Sequence, residues 1–315
     1  MATMRSKTIK SPAEIRVGAL LGPHDPFWVQ VREAVYSAVQ ERGMTLVPLE
    51  LFESPQILVN VDPASMVDEL LAENLDAIIS QEIPFQVVQQ VLDQGVPVIY
   101  LSESERRHPL FVSLHGLYDA AWMVGEYIAE KLNGHGRALC VGGLLEPGED
   151  KGVSRIKGFC DALRKTPDIA VMHLPAYWRY EDALPIIESG MKGLAAPIHA
   201  LFGISDSLAL AARDAARSSG ILKPETVVVG INGDPLALAA IAEGTMSATV
   251  ETSVVKMARN ATELALKAAQ GEPLPSVYYH HNRLITRENV KEVALEKLSS
   301  SRGRSVCASC RPALI

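Results

Sequence analysis

The stretch Leu20–Val35, LLGPHDPFWVQVREAV, joins the end of an apolar run to a turn and then to a helix. Working outward, Ile15–Leu21 before it has the continuous apolar character of a strand buried on both faces. After it, Val31, Ala34, Val35 and Ala38 recur at i, i+3, i+4 and i+7, the stripe of an amphipathic helix, and Gly43 ends that helix. Phe27 and Trp28 stand side by side at the strand-to-helix corner, next to Asp25, in a chain with only 5% aromatic residues. Two of the largest side chains therefore occupy a place where small turn residues would suffice.

The same unit repeats along the 315 residues. Strand-like runs are Thr45–Leu51, Asp76–Ser80, Val96–Leu101, Leu110–Leu114, Arg137–Gly142, Ile169–Leu174, Ala200–Ile204, Thr226–Ile231, Ser247–Glu251 and Ser276–Tyr279. Helical patterns fill the gaps. Asp62-Pro63 and Asp234-Pro235 are N-cap and first-turn proline pairs, and Ser205 or Asp206 caps a helix that ends before Gly220. Alternating strand and helix predicts a parallel α/β architecture. Eleven strands are many for one sheet, so two sheets of about five or six are expected. In such folds ligands bind beyond the carboxyl ends of the strands. Two doubly wound lobes facing each other would share one cleft, with Phe27 and Trp28 on its side.

Composition narrows the class. Hydrophobic residues make up 48% and charged residues 21%, normal for a globular chain with a core. The net charge of −7 gives no basic patch for nucleic acid. No apolar run reaches the roughly 18 residues of a membrane span. The basic N-terminus, MATMRSKTIKSPAEIRVGALL, is not followed by an apolar signal-peptide core. Either the chain stays in the cytoplasm or its leader is missing from this sequence. Cys140 falls in a strand-like run and Cys160 on a helix, where core packing explains them. Cys307 and Cys310 form CASC, half a zinc site, in a Ser- and Arg-rich tail (299–315) that is expected to be disordered.

Flat rings suit a sugar, whose C–H face packs on them while its hydroxyls need polar partners. Phe27 and Trp28 fit that role, or equally a staple under the first helix. Tyr177, Trp178, Arg179 and Tyr180 follow the strand Ile169–Leu174 and form a second aromatic corner, or an ordinary loop anchor. Gly142–Gly152, GGLLEPGEDKG, is not a phosphate loop, because Glu149 and Asp150 stand where Lys and Ser/Thr are required. GxGxxG is absent after the first strand, so no nucleotide cofactor is expected. GISDS at Gly203–Ser207 is not a nucleophile elbow. The eight histidines show no metal-ligand spacing, and the adjacent His280 and His281 would face opposite ways on a strand.

The ordered run DPFW, ERG, GVPVIYL, GEYIAEKL, SRIKGF, GISDSLALAA, VVVGINGDP and GTMSATVETS resembles the type I periplasmic binding proteins, most closely the ribose-type sugar binders. These share their core with lactose-repressor-type regulators. The resemblance spans about Ile15 to Val290 and implies two lobes joined by a three-segment hinge near Leu114–Leu117, Glu251–Ser253 and Tyr279–Asn282. The N-terminal lobe would take 13–115 and 252–279, and the C-terminal lobe 116–251 and 280–292. By position in the family's motifs, Asp25 replaces a ligand-binding Asn, Phe27 and Trp28 match the stacking aromatics, and Trp178 matches the aromatic of the opposite lobe. Asn232 stands for an Asp that grips hydroxyls, Ser205 for an Asn, and Thr252 or Glu251 for a hinge-side polar contact. Arg155 corresponds to an arginine that is often structural. Ser102 replaces an aspartate, Val153 a ligand-binding Arg, and His115-Gly116 an Asp-Asn pair. The charged grip on a pentose is thus mostly missing, and Arg179, Asp150 or Lys151 would supply charge instead. A ligand other than ribose is expected.

The resemblance implies a monomeric, non-enzymatic receptor that closes on a sugar-like solute and serves an ABC permease in the periplasm or cell envelope. A cytoplasmic sensor docked to a kinase is the alternative, with 287–298, RENVKEVALEKL, as a signal-transmitting helix or simply a terminal one. Direct DNA binding is disfavoured, since only about 14 residues precede the first strand. An enzyme on the same scaffold is the third possibility, because fold does not exclude chemistry.

Overall fold

The computed structural model of the protein describes residues 10–22, 26–49, 63–81, 83–143, 152–194 and 197–302. Its strands form two six-stranded sheets. The first contains β1 (Arg16–Leu20), β2 (Thr45–Pro48), β3 (Ala77–Ser80), β4 (Val98–Tyr100), β5 (Phe111–His115) and β11 (Val277–Tyr279), in the order β11-β5-β4-β3-β1-β2. The second contains β6 (Gly136–Val141), β7 (Ile169–Leu174), β8 (Ala200–Gly203), β9 (Val227–Asn232), β10 (Ala248–Thr252) and β12 (Asn282–Thr286), in the order β12-β10-β9-β8-β6-β7. Every pairing in the first sheet is parallel. In the second only β12 runs antiparallel, against β10. These are two doubly wound parallel α/β lobes, as the alternating pattern predicts.

The central strands are buried on both faces, which is why they read as unbroken Val/Ile/Ala runs: all six residues of β9 are buried. Around the first sheet lie α1 (Pro26–Glu41), α2 (Pro63–Ala72), α3 (Phe85–Asp93) and α9 (Val254–Ala269). Around the second lie α4 (Leu117–Lys131), α5 (Val153–Leu163), α6 (Tyr180–Met191), α7 (Asp206–Ser218), α8 (Pro235–Glu243) and α10 (Val290–Arg302). The chain therefore passes between the sheets after β5, after β10 and between β11 and β12. Each lobe has its own apolar interior. Val31, Val35, Ile79 and Ala265 pack one face of the first sheet, and Leu70, Val87 and Val91 the other. Phe159, Phe202, Leu208 and Ile241 pack within the second lobe.

Several local expectations are met. Ser205 is the N-cap of α7, its hydroxyl accepting the Leu208 N–H at 3.4 Å. Gly43 follows α1 with φ +72°. Cys140 is buried in β6 and Cys160 lies on α5. Two features differ. The sequence reading contains no β12, and α10 continues to Arg302, four residues into the segment expected to be disordered. Residues 303–315, with the CASC motif, lie outside the described residues. Among the described residues no helix is long and apolar enough to cross a membrane.

Gly203, at the end of β8, lets α7 approach the sheet. A Cβ there would lie 2.0 Å from the Ala209 backbone nitrogen and 2.5 Å from its Cα. Backbone cannot yield as a side-chain tip can. Gly203→Ala is expected to destabilise the second lobe by about 1–3 kcal/mol, the usual cost of overpacking. Calorimetry checks this, and an unchanged melting temperature would refute it.

Candidate functional site

In each sheet one point of the strand order reverses, between β1 and β3 in the first and between β6 and β8 in the second. Loops leaving the carboxyl ends of such neighbours diverge to opposite faces and leave a crevice. The loop after β1 leads to Phe27 and Trp28. Ser80 ends β3 and Gln81 follows it, and both are buried. The loop after β8 carries Ser205 and Asp206. The segment after β6 runs into residues 144–151, which lie outside the described residues, together with Asp150 and Lys151.

On the first lobe the candidate residues divide. Asp25 lies outside the described residues. Phe27 is only 4% exposed and belongs to the core that also holds Val31 and Val35. Its ring meets Trp28 edge-on, with centroids 5.3 Å apart and planes at 80°. Trp28 is half-buried against the same core. The geometry thus makes Phe27 the support and Trp28 the more accessible ring. Ser102, just past β4, is buried, and its carbonyl accepts the Leu114 N–H. Ser80 and Gln81 are not among the candidates that the sequence motifs single out. Their signal is a polar pair closing the apolar run AIIS at a carboxyl strand end.

The second lobe gathers more polar groups. Asn232 ends β9 and is 5% exposed, and its Oδ1 has no hydrogen-bond partner. Its φ is +134°, a region that side-chain-bearing residues seldom occupy and that costs on the order of 1–3 kcal/mol. Thr252 ends β10, is 1% exposed, and its Oγ1 is likewise unpartnered. Buried polar atoms without partners are uncommon and costly, so two of them on adjacent parallel strand ends ask for a ligand or water. Glu251, beside Thr252, is already paired with Arg283 at 2.9 Å and Lys297 at 3.2 Å.

Trp178 is half-buried against the second lobe's core, with the Arg155 guanidinium 5.5 Å from its ring centre. Arg155 is itself buried and donates to the carbonyl of Ile204, next to Ser205, a structural task. Arg179 is the N-cap residue of α6 with its side chain 63% exposed, and it lies 3.9 Å from both Glu181 and Asp182. Two carboxylates of its own helix are thus within ion-pair reach.

The crossovers are held by directional bonds. Glu103, in the loop after β4, accepts the N–H groups of Gly116, Leu117 and Tyr118 at 3.0, 2.7 and 3.3 Å. A carboxylate rooted in the first lobe therefore sits on the positive end of α4 in the second. Asn282 Nδ2 donates to the Gly116 carbonyl at 2.6 Å, and the His280 N–H to that of His115 at 2.8 Å. Burial pushes the His280 imidazole down to about 4. The nearby Arg155 and His281 act in the same direction, and Glu103 opposes them.

Residues 21–273 match the family model described as periplasmic binding protein domain, and the chain belongs to that family. It is 23% identical to the ribose import binding protein of Bacillus subtilis, over 77% of each chain. It is 24% identical to a putative rhizopine-binding protein of Rhizobium meliloti, over 72% of this chain and 77% of the relative. Among solved structures it resembles an ABC transporter periplasmic solute-binding protein of Actinobacillus succinogenes with bound D-allose. That similarity has a TM-score of 0.76 at 23% identity, over 89% of this chain and all of the other. A Bacillus halodurans solute-binding protein with bound myo-inositol gives 0.76 at 21% identity, over 91% and 99%. The fold is that of these two-lobed proteins.

His280 gives a pH prediction. Unfolded, the ring takes up its proton near 6.5, and folded it resists until about 4. The stability it contributes is therefore present above 6.5 and is lost as the pH falls through about 4. His280→Gln is expected to flatten the acid limb by about 2–3 kcal/mol between pH 7 and 4. Denaturant melts at several pH values test this, and parallel pH profiles for the two proteins would contradict it.

Proposed function

We propose that the protein is a non-enzymatic receptor for a small, uncharged, hydroxyl-bearing solute of the sugar or polyol class, held between its two lobes. The observation that carries this reading is the pair of buried, unpartnered polar atoms, Asn232 Oδ1 and Thr252 Oγ1, at adjacent carboxyl strand ends. Trp28 and Trp178 supply the stacking faces, one from each lobe, with Ser102 and Ser205 as further polar groups. A solute touching both lobes gains its full set of contacts only when they close, and that difference in affinity drives closure. The moving units in this reading are 13–115 with 252–279, and 116–251 with 280–292. The relatives support the class of ligand: one is named for ribose import, and the neighbours carry D-allose and myo-inositol.

A monomer in the periplasm or cell envelope, passing its solute to an ABC permease, fits this chemistry. Sensing is the second reading. It is favoured by the fold's likeness to the fructose-binding periplasmic domain of a hybrid two-component system, with a TM-score of 0.78 at 21% identity. A permease gene beside this one favours uptake, and a kinase gene favours sensing.

A thermal-shift screen over D-ribose, D-allose, myo-inositol, D-fructose and L-arabinose tests the proposal. A sugar at a hundred times its dissociation constant is expected to stabilise the fold by about 2.7 kcal/mol. Trp28→Ala, Trp178→Ala and Asn232→Ala are each expected to weaken that sugar about tenfold or more, roughly 1.4 kcal/mol. Unchanged affinity in all three variants would displace the site.

A further inference from the structure

Asp206 is the first residue of α7 and is wholly buried. Its Oδ1 accepts the Thr249 hydroxyl of β10 at 2.6 Å, and its Oδ2 accepts the Asp234 N–H at the start of α8 at 2.7 Å. The Thr249 hydroxyl oxygen in turn accepts the Gly233 N–H at 3.2 Å. On β9, a Cβ at Gly230 would stand 2.2 Å from Asp206 Oδ1, so a bare glycine makes room for the carboxylate. One side chain thus ties the carboxyl end of β8 and the turn after β9 to the second residue of β10. Each of these strands leads to a candidate solute contact: Ser205 beside Asp206, Asn232 just before the Gly233–Asp234 turn, and Thr252 three residues along β10 from Thr249.

A carboxyl group suits this place: ionised, it accepts the Thr249 O–H at one oxygen and the Asp234 N–H at the other, and protonated at Oδ1 it donates to the Thr249 hydroxyl while Oδ2 still accepts from Asp234. The turn so held is the one that keeps Asn232 at φ +134°, a conformation that persists only when its surroundings enforce it.

We propose that Asp206 is a positioning residue of the solute site, tying the Gly233–Asp234 turn to β10 and so fixing Asn232 and Thr252 in register. The proposal rests on the reading of Asn232 and Thr252 as solute contacts. Asp206 itself touches no solute.

The electrostatics give the tie a pH signature. Burial pushes the Asp206 carboxyl up to about 6, while the bonds from Thr249, Asp234 and Gly233 and the charge of Lys297 hold it lower. Lys297, on α10, donates to the Gly233 carbonyl at 2.6 Å and pairs with Glu251 of β10, which also pairs with Arg283 of β12. Asp234 adds a buried carboxyl at the start of α8. Opening the turn would hydrate Asp206 and return it toward 3.8. Protons therefore favour the closed turn: closure is fully supported below 3.8, and that support is lost as the pH rises through about 6.

Hydrogen–deuterium exchange on the full, ligand-free chain tests the tie, with rates corrected for intrinsic exchange. Protection of 232–236 should rise as the pH falls from 7.5 to 5. Asp206→Ala should speed exchange in that segment tenfold or more and remove the pH slope. Thr249→Val should act in the same direction, with its pH midpoint above 6, because it removes a bond to the ionised form. Thr249→Ser should restore the original behaviour. If Asp206→Ala does not fold, the Thr249 pair carries the test alone. Unchanged exchange at 232–236, a slope that survives in Asp206→Ala, or equal deprotection throughout the second lobe would overturn the proposal. Tryptophan-fluorescence titration with D-ribose, D-allose and myo-inositol separates the two readings. A sugar that binds the wild type and Thr249→Val equally well overturns the positioning role alone. If none of the three binds the wild type, the solute reading fails and the role falls with it.

Discussion

Three passages of the chain between two otherwise independent sheets are the constraint on which the rest of the structure depends. They start at the carboxyl ends of β5, β10 and β11, which meet where the His280 N–H bonds the His115 carbonyl and Asn282 pairs with Thr252. No buried cluster is common to the two lobes among the described residues: Phe159 and Phe202 belong to one interior, and Val35 and Ile79 to another. What joins the lobes is directional and local. The Glu103 carboxylate on three N–H groups of α4, and Asn282 on the Gly116 carbonyl, tie backbone to backbone without committing large apolar area. Joints of this kind permit relative motion of the lobes while each interior stays packed.

The site follows from that arrangement. Parallel strands buried on both faces leave only their ends for chemistry, and here those ends carry neutral polar groups: Ser80, Ser102, Ser205, Asn232 and Thr252. Among the described residues, charged groups nearby are engaged. Arg155 holds the Ile204 carbonyl and lies over Trp178, Glu251 is bound to Arg283 and Lys297, and Asp206 is spent on Thr249 and Asp234. These charges therefore hold the scaffold, and the neutral groups are left at the strand ends. That division suits a solute with many hydroxyls and no net charge. It also explains why an Asn stands at the end of β9 in a strained conformation: the protein maintains a costly backbone there with a buried network behind it.

Much of this was legible in the sequence. Two-face burial made the central strands unbroken apolar runs, so AIIS and VVVGIN were readable, as were the proline-started α8 and the Ser205 cap. β12 was not readable, because NRLIT is an edge strand with one fully buried residue and polar residues at both ends. The split between Phe27 and Trp28 was partly readable. Carrying the α1 stripe back one turn from Val31 lands on Phe27, which is the ring found in the core. The role of Asp206 was hidden, because its partners at Thr249 and Asp234 are distant in sequence and meet only when three strands lie side by side.

Small-angle X-ray scattering of the protein with and without a saturating sugar measures the relation of the lobes directly. Closure on a solute predicts a smaller radius of gyration and a shorter maximum dimension when the sugar is bound. Identical scattering curves, with binding verified in the same sample, would contradict a site that draws the two lobes together.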